Sequence, residues 1–98
     1  MLVYNTVTDD LKLFIEATKL IKTIRKKPTN DELLLLYSLY KQATVGNNKH
    51  TIPFIFNFRE KAKWDAWSAQ SNKSKSVARD EYVVVVGDIV KKYGLVVG

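Results

Sequence analysis

Apolar positions in Leu11–Ile24 recur mainly at three- and four-residue spacing: Leu13, Ala17, Leu20, Ile21 and Ile24. That spacing predicts an amphipathic helix. Thr8, Asp9 and Asp10 offer a cap and negative charge at its start, and Arg25, Lys26 and Lys27 offer positive charge at its end, as the helix dipole favours. Pro28 stops it, because proline disfavours helical geometry at the residue before it. Thr29-Asn30-Asp31-Glu32 fits a capping box and predicts a second helix from about Asn30 to Val45. Leu33–Leu36 make that helix apolar on nearly all sides, which places it centrally. Gly46 suits a left-handed terminator, residues 47–51 read as loop, and Pro53 keeps the chain extended. Asn57–Glu60 is a further cap signal, for an Ala-rich helix over Glu60–Gln70 with Trp64 and Trp67 on one face. Ser71–Ser74 is polar and breaks the pattern.

The last segment carries two opposed signals. Val83–Val86 is β-branched and favours a strand. Ala78, Tyr82, Val85, Ile89 and Tyr93 nevertheless repeat at helical spacing over four turns, with Asp80, Glu81, Asp88, Lys91 and Lys92 between them. A long periodic pattern outweighs a short propensity signal, so a fourth helix is expected from Ser74 to Tyr93, ending at Gly94. The expected fold class is all-α with four helices and one long loop between the second and third.

Composition narrows the function. The 98 residues suit one domain spanning the whole chain, and 46% hydrophobic content supports one modest core. Cysteine is absent, which excludes disulfides, thiolate nucleophiles and Cys-ligated metal. His50 is the only imidazole, so neither a His-based triad nor a multi-His metal site can be built. Four glycines form no phosphate-cradling loop motif. The longest apolar runs fall far short of the ~20 residues that span a bilayer, and no secretory signal is evident, so a soluble cytoplasmic protein is expected. Sixteen basic against ten acidic residues give a net charge of +6.

Candidate chemistry concentrates in two places. Tyr37, Tyr40, Lys41 and Thr44 lie along one stripe of the second helix, where two phenols and an ammonium can stack on a ring and bind an anion. The plainer alternative is that the tyrosines line the core and Lys41 is solvated. Arg59, Lys61 and Lys63 form the second basic group, with Lys63 four residues before Trp67, close enough for a cation to lie beside the indole. A solvated face is the plainer alternative there too. Tyr82 interrupts an apolar stripe, and a buried phenol needs a hydrogen-bond partner. Lys22 sits where the dipole favours a cation regardless of function. His50 is expected to be exposed and inert.

Tyr40-Lys41-Gln42-Ala43-Thr44-Val45-Gly46 followed by Lys61-Ala62-Lys63-Trp64-Asp65-Ala66-Trp67 resembles the acyl-CoA-binding protein family. Lys26-Lys27-Pro28-Thr29, the spacing to Tyr82, and Lys91-Lys92-Tyr93-Gly94 agree without a gap, so the resemblance covers about Phe14 to Leu95. It implies an up-down-down-up four-helix bundle that binds medium- to long-chain fatty acyl-CoA and catalyses nothing. It implies that Tyr37 packs on the adenine ring, that Lys41 and Lys63 hold the ribose 3′-phosphate with Tyr40 close by, and that Tyr82 and Lys22 contact the rest of the ligand. Ser38, Leu39 and Arg59 complete the expected ligand-binding set; Arg59 stands where the family often has Lys. No cofactor or metal is expected. The expected partners are the acyl-CoA itself and, transiently, the enzymes that use it, with a monomeric carrier and no stable membrane insertion.

The chain departs from the family pattern at several points. Asn47 stands where Asp is common. Phe54, Ile55 and Phe56 make the loop after Pro53 unusually apolar, which suggests either a contribution to the tail groove or simple packing on the bundle. Lys75 and Val77 replace acidic residues at the start of the fourth helix; the lysine opposes the dipole and predicts a weakened first turn. Residues 1–9 extend beyond the family's usual start with no assigned role. Two other classes compete: a basic nucleic-acid-binding module, suggested by the net charge and interleaved aromatics, and an enzyme acting on acyl-CoA, which one loop His and no Cys support poorly.

Overall fold

A computed structural model describes residues 6–96 and consists, over that range, of four α-helices: α1 (Thr6–Leu20), α2 (Asn30–Thr44), α3 (Phe58–Ser68) and α4 (Lys75–Tyr93). Of residues 1–9, Thr6–Asp9 belong to α1 and the first five lie outside the described residues. The contacts fix the helix directions. Phe14 meets Tyr82, and further along both chains Ile24 bridges Leu95, so α1 and α4 run parallel. Glu32 at the start of α2 meets Tyr93 at the end of α4, whereas Gln42 near its end meets the Lys73 carbonyl just before α4, so these two run antiparallel. Tyr37 and Lys41 meet Lys63 and Trp67 in that order, so α2 and α3 run parallel. The result is the expected up-down-down-up bundle, with α2 packed against both α3 and α4.

Local signals set most boundaries. The Thr29 hydroxyl accepts from the Glu32 N–H at 3.2 Å while the Glu32 carboxylate accepts from the Thr29 N–H at 2.8 Å, a complete capping box. Gly46 takes a left-handed φ of 96° just beyond α2. Asn57 caps α3 by accepting from the Glu60 N–H. Ser74 caps α4 by accepting from the Val77 N–H at 3.1 Å, so its first turn is held despite Lys75.

Two expectations need correction. The first helix ends earlier than Ile24. Its α-helical part stops at Leu20, a single 3-10 turn follows over Ile21–Thr23, and Ile24 is extended. The reason is tertiary: Arg25 N–H donates to the Gly94 carbonyl and Val96 N–H to the Thr23 carbonyl, which draws the chain out of the helix before Pro28 can act. The buried face of α1 is also rotated. Leu13 is 55% exposed, and Phe14 and Ala17 carry the contact with the core. In α4 the helix prevails through the valine run; Ala78, Tyr82, Val86 and Ile89 are buried, whereas Val84 faces solvent.

The core combines Phe14 and Ala17 of α1, Leu36, Leu39 and Ala43 of α2, and the buried face of α4. Two buried polar residues staple α2 to the α3–α4 connection. Gln42 donates to the Lys73 carbonyl at 2.7 Å and to Asn47 Oδ1 at 2.9 Å. Ser38 accepts from Gln70 Nε2 at 3.1 Å and donates to the Leu35 carbonyl at 2.8 Å. Asn47 Oδ1 also accepts from the Asn72 N–H at 2.7 Å, which supports the left-handed turn at Asn72 (φ 73°).

Candidate functional site: a two-part cleft between α2 and α3

The parallel packing of α2 on α3 brings Tyr37, Lys41, Lys63 and Trp67 together. Lys63 Nζ lies 4.9 Å from the centre of the Tyr37 ring, and Lys41 Nζ lies 4.9 Å from the centre of the Trp67 ring. The expected contact between Lys63 and Trp67 is thus replaced by a crossed arrangement in which each lysine meets an aromatic ring of the other helix. Such contacts are worth about 0.5–1 kcal/mol when exposed and hold each ammonium in a defined place. Trp67 itself is buried, and its indole N–H donates to the Gly46 carbonyl at 2.8 Å. Trp64 is half-buried and donates to the His50 carbonyl at 2.9 Å. The two indoles therefore pin the loop after α2 to α3.

That pinned loop forms one wall of a cleft of about 250 Å³, lined by Tyr37, Lys41, Lys63, Asn48, His50, Thr51 and Pro53 together with Glu60 and the two tryptophans. His50 is exposed, as expected, and its ring stands 5.4 Å from that of Trp67 at the cleft wall. Asn48 donates to Ser68 Oγ at 3.0 Å, which fastens the loop to α3. Glu60 is the one acidic side chain lining the cleft, 3.8 Å from Lys63. Two ammonium groups against one carboxylate leave the cleft net positive, suited to an anion. Burial, and secondarily Glu60, hold the Tyr37 phenol above its ordinary pKa, so it stays a neutral hydrogen-bond donor.

Tyr37 and Lys63 also line a second, larger groove of about 640 Å³ on the side of the helix starts. Leu33, Leu34 and Ala62 line it with apolar surface, the exposed Phe58 stands at its rim, and Lys27, Asn30 and Arg59 stand around it. Arg59 therefore joins Lys63 and Tyr37. Loop residues Phe54, Ile55 and Phe56 line neither space and are 72%, 62% and 71% exposed. They do not pack on the bundle.

The other expected site residues lie elsewhere. Tyr40, next to Tyr37 in helical register, turns toward α1 and α4. Its ring is 6.0 Å from Phe14 and 6.2 Å from Tyr82, and Phe14 and Tyr82 are 5.1 Å apart edge to face. Tyr82 is buried there, and burial followed by the nearby Tyr40 raises its pKa. The stripe expected on α2 is thus split between two faces. Lys22 is exposed in the 3-10 turn after α1 and lines neither cleft. Ser38 and Leu39 are 1% exposed and point into the bundle, so their side chains support the site rather than face it. Asn48, His50 and Thr51 are cleft residues that periodicity did not single out; they come from a loop whose placement depends on the indole hydrogen bonds, whereas Trp64 reaches the cleft from α3.

Among the described residues no group of three or more His, Asp or Glu side chains could hold a metal, and no helix is long and apolar enough to cross a membrane. A family model described as acyl CoA binding protein matches residues 11–86. The acyl-CoA-binding protein of Saccharomyces cerevisiae is 45% identical over 82 residues, which cover 84% of this chain and 94% of that one. Acyl-CoA-binding protein homolog 1 of Caenorhabditis elegans is 43% identical over 81 residues, covering 83% of this chain and 94% of that one. In three dimensions the chain resembles the crystal structure of Oryza sativa acyl-CoA-binding protein 2, with a TM-score of 0.85 and 38% identity over 89% of this chain and 95% of that one. It also resembles the solution structure of the yeast acyl coenzyme A binding protein, with a TM-score of 0.68 and 44% identity over 85% of this chain and 96% of that one.

Proposed function

The chain belongs to the acyl-CoA-binding protein family, and on that premise we propose that it is a non-catalytic, monomeric, cytoplasmic carrier of medium- to long-chain fatty acyl-CoA esters. One observation carries the reading: Tyr37 and Lys63 are shared by a polar, net-positive cleft and a larger apolar groove. A ligand with a charged nucleotide end and a hydrocarbon end fits such a pair of joined spaces.

Coenzyme A carries a monoester phosphate and a diphosphate, about −4 in all near neutral pH. Lys41 and Lys63 act as point charges for the 3′-phosphate and need no glycine-rich loop. The Tyr37 face receives the adenine. Leu33, Leu34 and Ala62 shelter the tail, with Phe58 and Arg59 at its edge; the exposed Tyr40 and the more distant Lys22 are left to meet the ligand's remaining length, while the buried Tyr82 supports Tyr40 from inside the bundle. Ser38 and Leu39 hold the register of α2 from inside. Each buried methylene contributes up to about 0.8 kcal/mol, so a tail of about sixteen carbons has a ceiling near ~12 kcal/mol before ordering costs. The nucleotide end thus gives specificity for coenzyme A, and the tail gives most of the strength. The carrier buffers free thioester and hands it to the enzymes that use it.

Titration calorimetry with acyl-CoA esters of increasing length tests this. Affinity should rise by about tenfold per two carbons until the groove fills, with free coenzyme A much weaker. A dissociation constant independent of tail length would refute the reading. Equal binding of DNA, lost in moderate salt, would favour a nucleic-acid module instead, and thioester hydrolysis would favour an enzyme.

A further inference from the structure

Four large apolar side chains stand out to solvent at one place. Phe54, Ile55, Phe56 and Phe58 are each at least 62% exposed, and they fall within five consecutive residues. They sit at a turn closed by one backbone hydrogen bond, Asn57 N–H to the Phe54 carbonyl at 2.9 Å, and the Phe54 and Phe56 rings meet edge to face at 5.5 Å. Isolated exposed apolar residues are ordinary; a contiguous cluster marks an interaction surface.

We propose that this turn is a membrane-docking tip that inserts into the interface of an anionic lipid bilayer. Two observations favour a lipid surface over a protein groove. The surrounding charge has the complementary sign: residues 49–65 carry four basic side chains (Lys49, Arg59, Lys61 and Lys63) and two acidic ones, Glu60 at 3.8 Å from Lys63 and Asp65 at 2.9 Å from Lys61, a net of 4 − 2 = +2 with His50 neutral. The cluster also adjoins the apolar groove, since Phe58 belongs to both and Arg59 beside it lines the groove. A closed turn satisfies part of its own backbone, which matters where water is scarce. Basic residues beside an apolar tip add attraction to anionic headgroups. This inference deepens the carrier reading and rests on it: the docked tip sets the groove at the surface where acyl chains are dissolved, so that ligand can enter from the bilayer rather than from water.

The test uses the full-length protein free of ligand and sucrose-loaded vesicles, either of phosphatidylcholine alone or of phosphatidylcholine and phosphatidylserine at roughly 7:3. The protein should sediment with the anionic vesicles, more weakly with the neutral ones, and less as salt is raised. Replacing Phe54, Ile55 and Phe56 together by Ser should weaken vesicle binding by about 100-fold or more. The same variant should keep its helical circular dichroism and its acyl-CoA affinity in vesicle-free buffer, because those three residues line neither space. Vesicle binding that is absent, or undiminished in the variant, overturns the inference. So does concentration-dependent dimerisation through this patch without vesicle binding, read by sedimentation velocity. Loss of acyl-CoA binding by the wild type in vesicle-free buffer would instead overturn the carrier reading.

Discussion

Replacing Lys41 or Lys63 by Met keeps most of the stem and removes the charge. An ammonium about 4 Å from a phosphate gains about 4 kcal/mol per unit charge at an effective dielectric constant near 20. The Lys63 side chain is 36% exposed and Lys41 is half-buried, so solvent and salt reduce this strongly. A charge-assisted hydrogen bond at such a site leaves about 1–2 kcal/mol, or roughly 5–30-fold in Kd for each lysine. Each variant also loses its contact with an aromatic ring of the other helix, about 0.5–1 kcal/mol, and that loss is independent of the ligand's phosphate. Titration calorimetry with palmitoyl-CoA and its 3′-dephospho ester, side by side, separates the two effects. The phosphorylated ester should weaken by the full factor, and the dephospho ester by no more than the ring contact accounts for. The double variant should lose less than the sum of the singles, because both cations serve one phosphate. Equal weakening of both esters would refute the placement of the 3′-phosphate between Lys41 and Lys63.

Other outcomes follow from the packing. Leu39→Ala should cost about 2–5 kcal/mol in chemical denaturation, and Ser38→Ala, which breaks the Gln70 tie, should cost less; both should leave the affinity of folded protein unchanged, and a selective loss of affinity would return these side chains to the binding surface. Asn47→Ala removes the acceptor shared by Gln42 and the Asn72 N–H and should cost about 1–3 kcal/mol in a thermal melt, whereas Asn47→Asp keeps both acceptor contacts and most of the stability. Glu32, held by Tyr93 first and then by the Thr29 N–H and Lys92, is lowered from 4.5 to about 2. Its contribution is fully present above about pH 4.5 and is lost as pH falls toward 2, so the melting temperature of Glu32→Gln should depend less on pH across that window than that of the wild type. An unchanged slope would show that Glu32 is not the group responsible.

The helices themselves were written locally. Thr29 and Glu32 specify the start of α2 within four residues, Ser74 that of α4, and the long period through Val83–Val86 is stronger than their strand preference. Residue type and spacing also marked Tyr37, Lys41 and Lys63, among other phenols and cations, as groups able to meet an anion, and the family resemblance singled these three out. Periodicity gives an angle around one helix, however, and not the neighbour found at that angle. Only the packing of α2 between α3 and α4 turned Tyr40 away from Tyr37 toward Phe14 and Tyr82, and crossed Lys41 onto Trp67 and Lys63 onto Tyr37. Glu32 reaches Lys92 and Tyr93, 60 and 61 residues away, which no local pattern encodes. The end of α1 and the exposure of Phe54–Phe56 belong with these: the first was decided by the Ile24–Leu95 bridge, the second by a loop that the tryptophans anchor on its other side. Short-range hydrogen bonds and spacing fix what a segment becomes, whereas the surfaces it presents depend on contacts made across the whole chain.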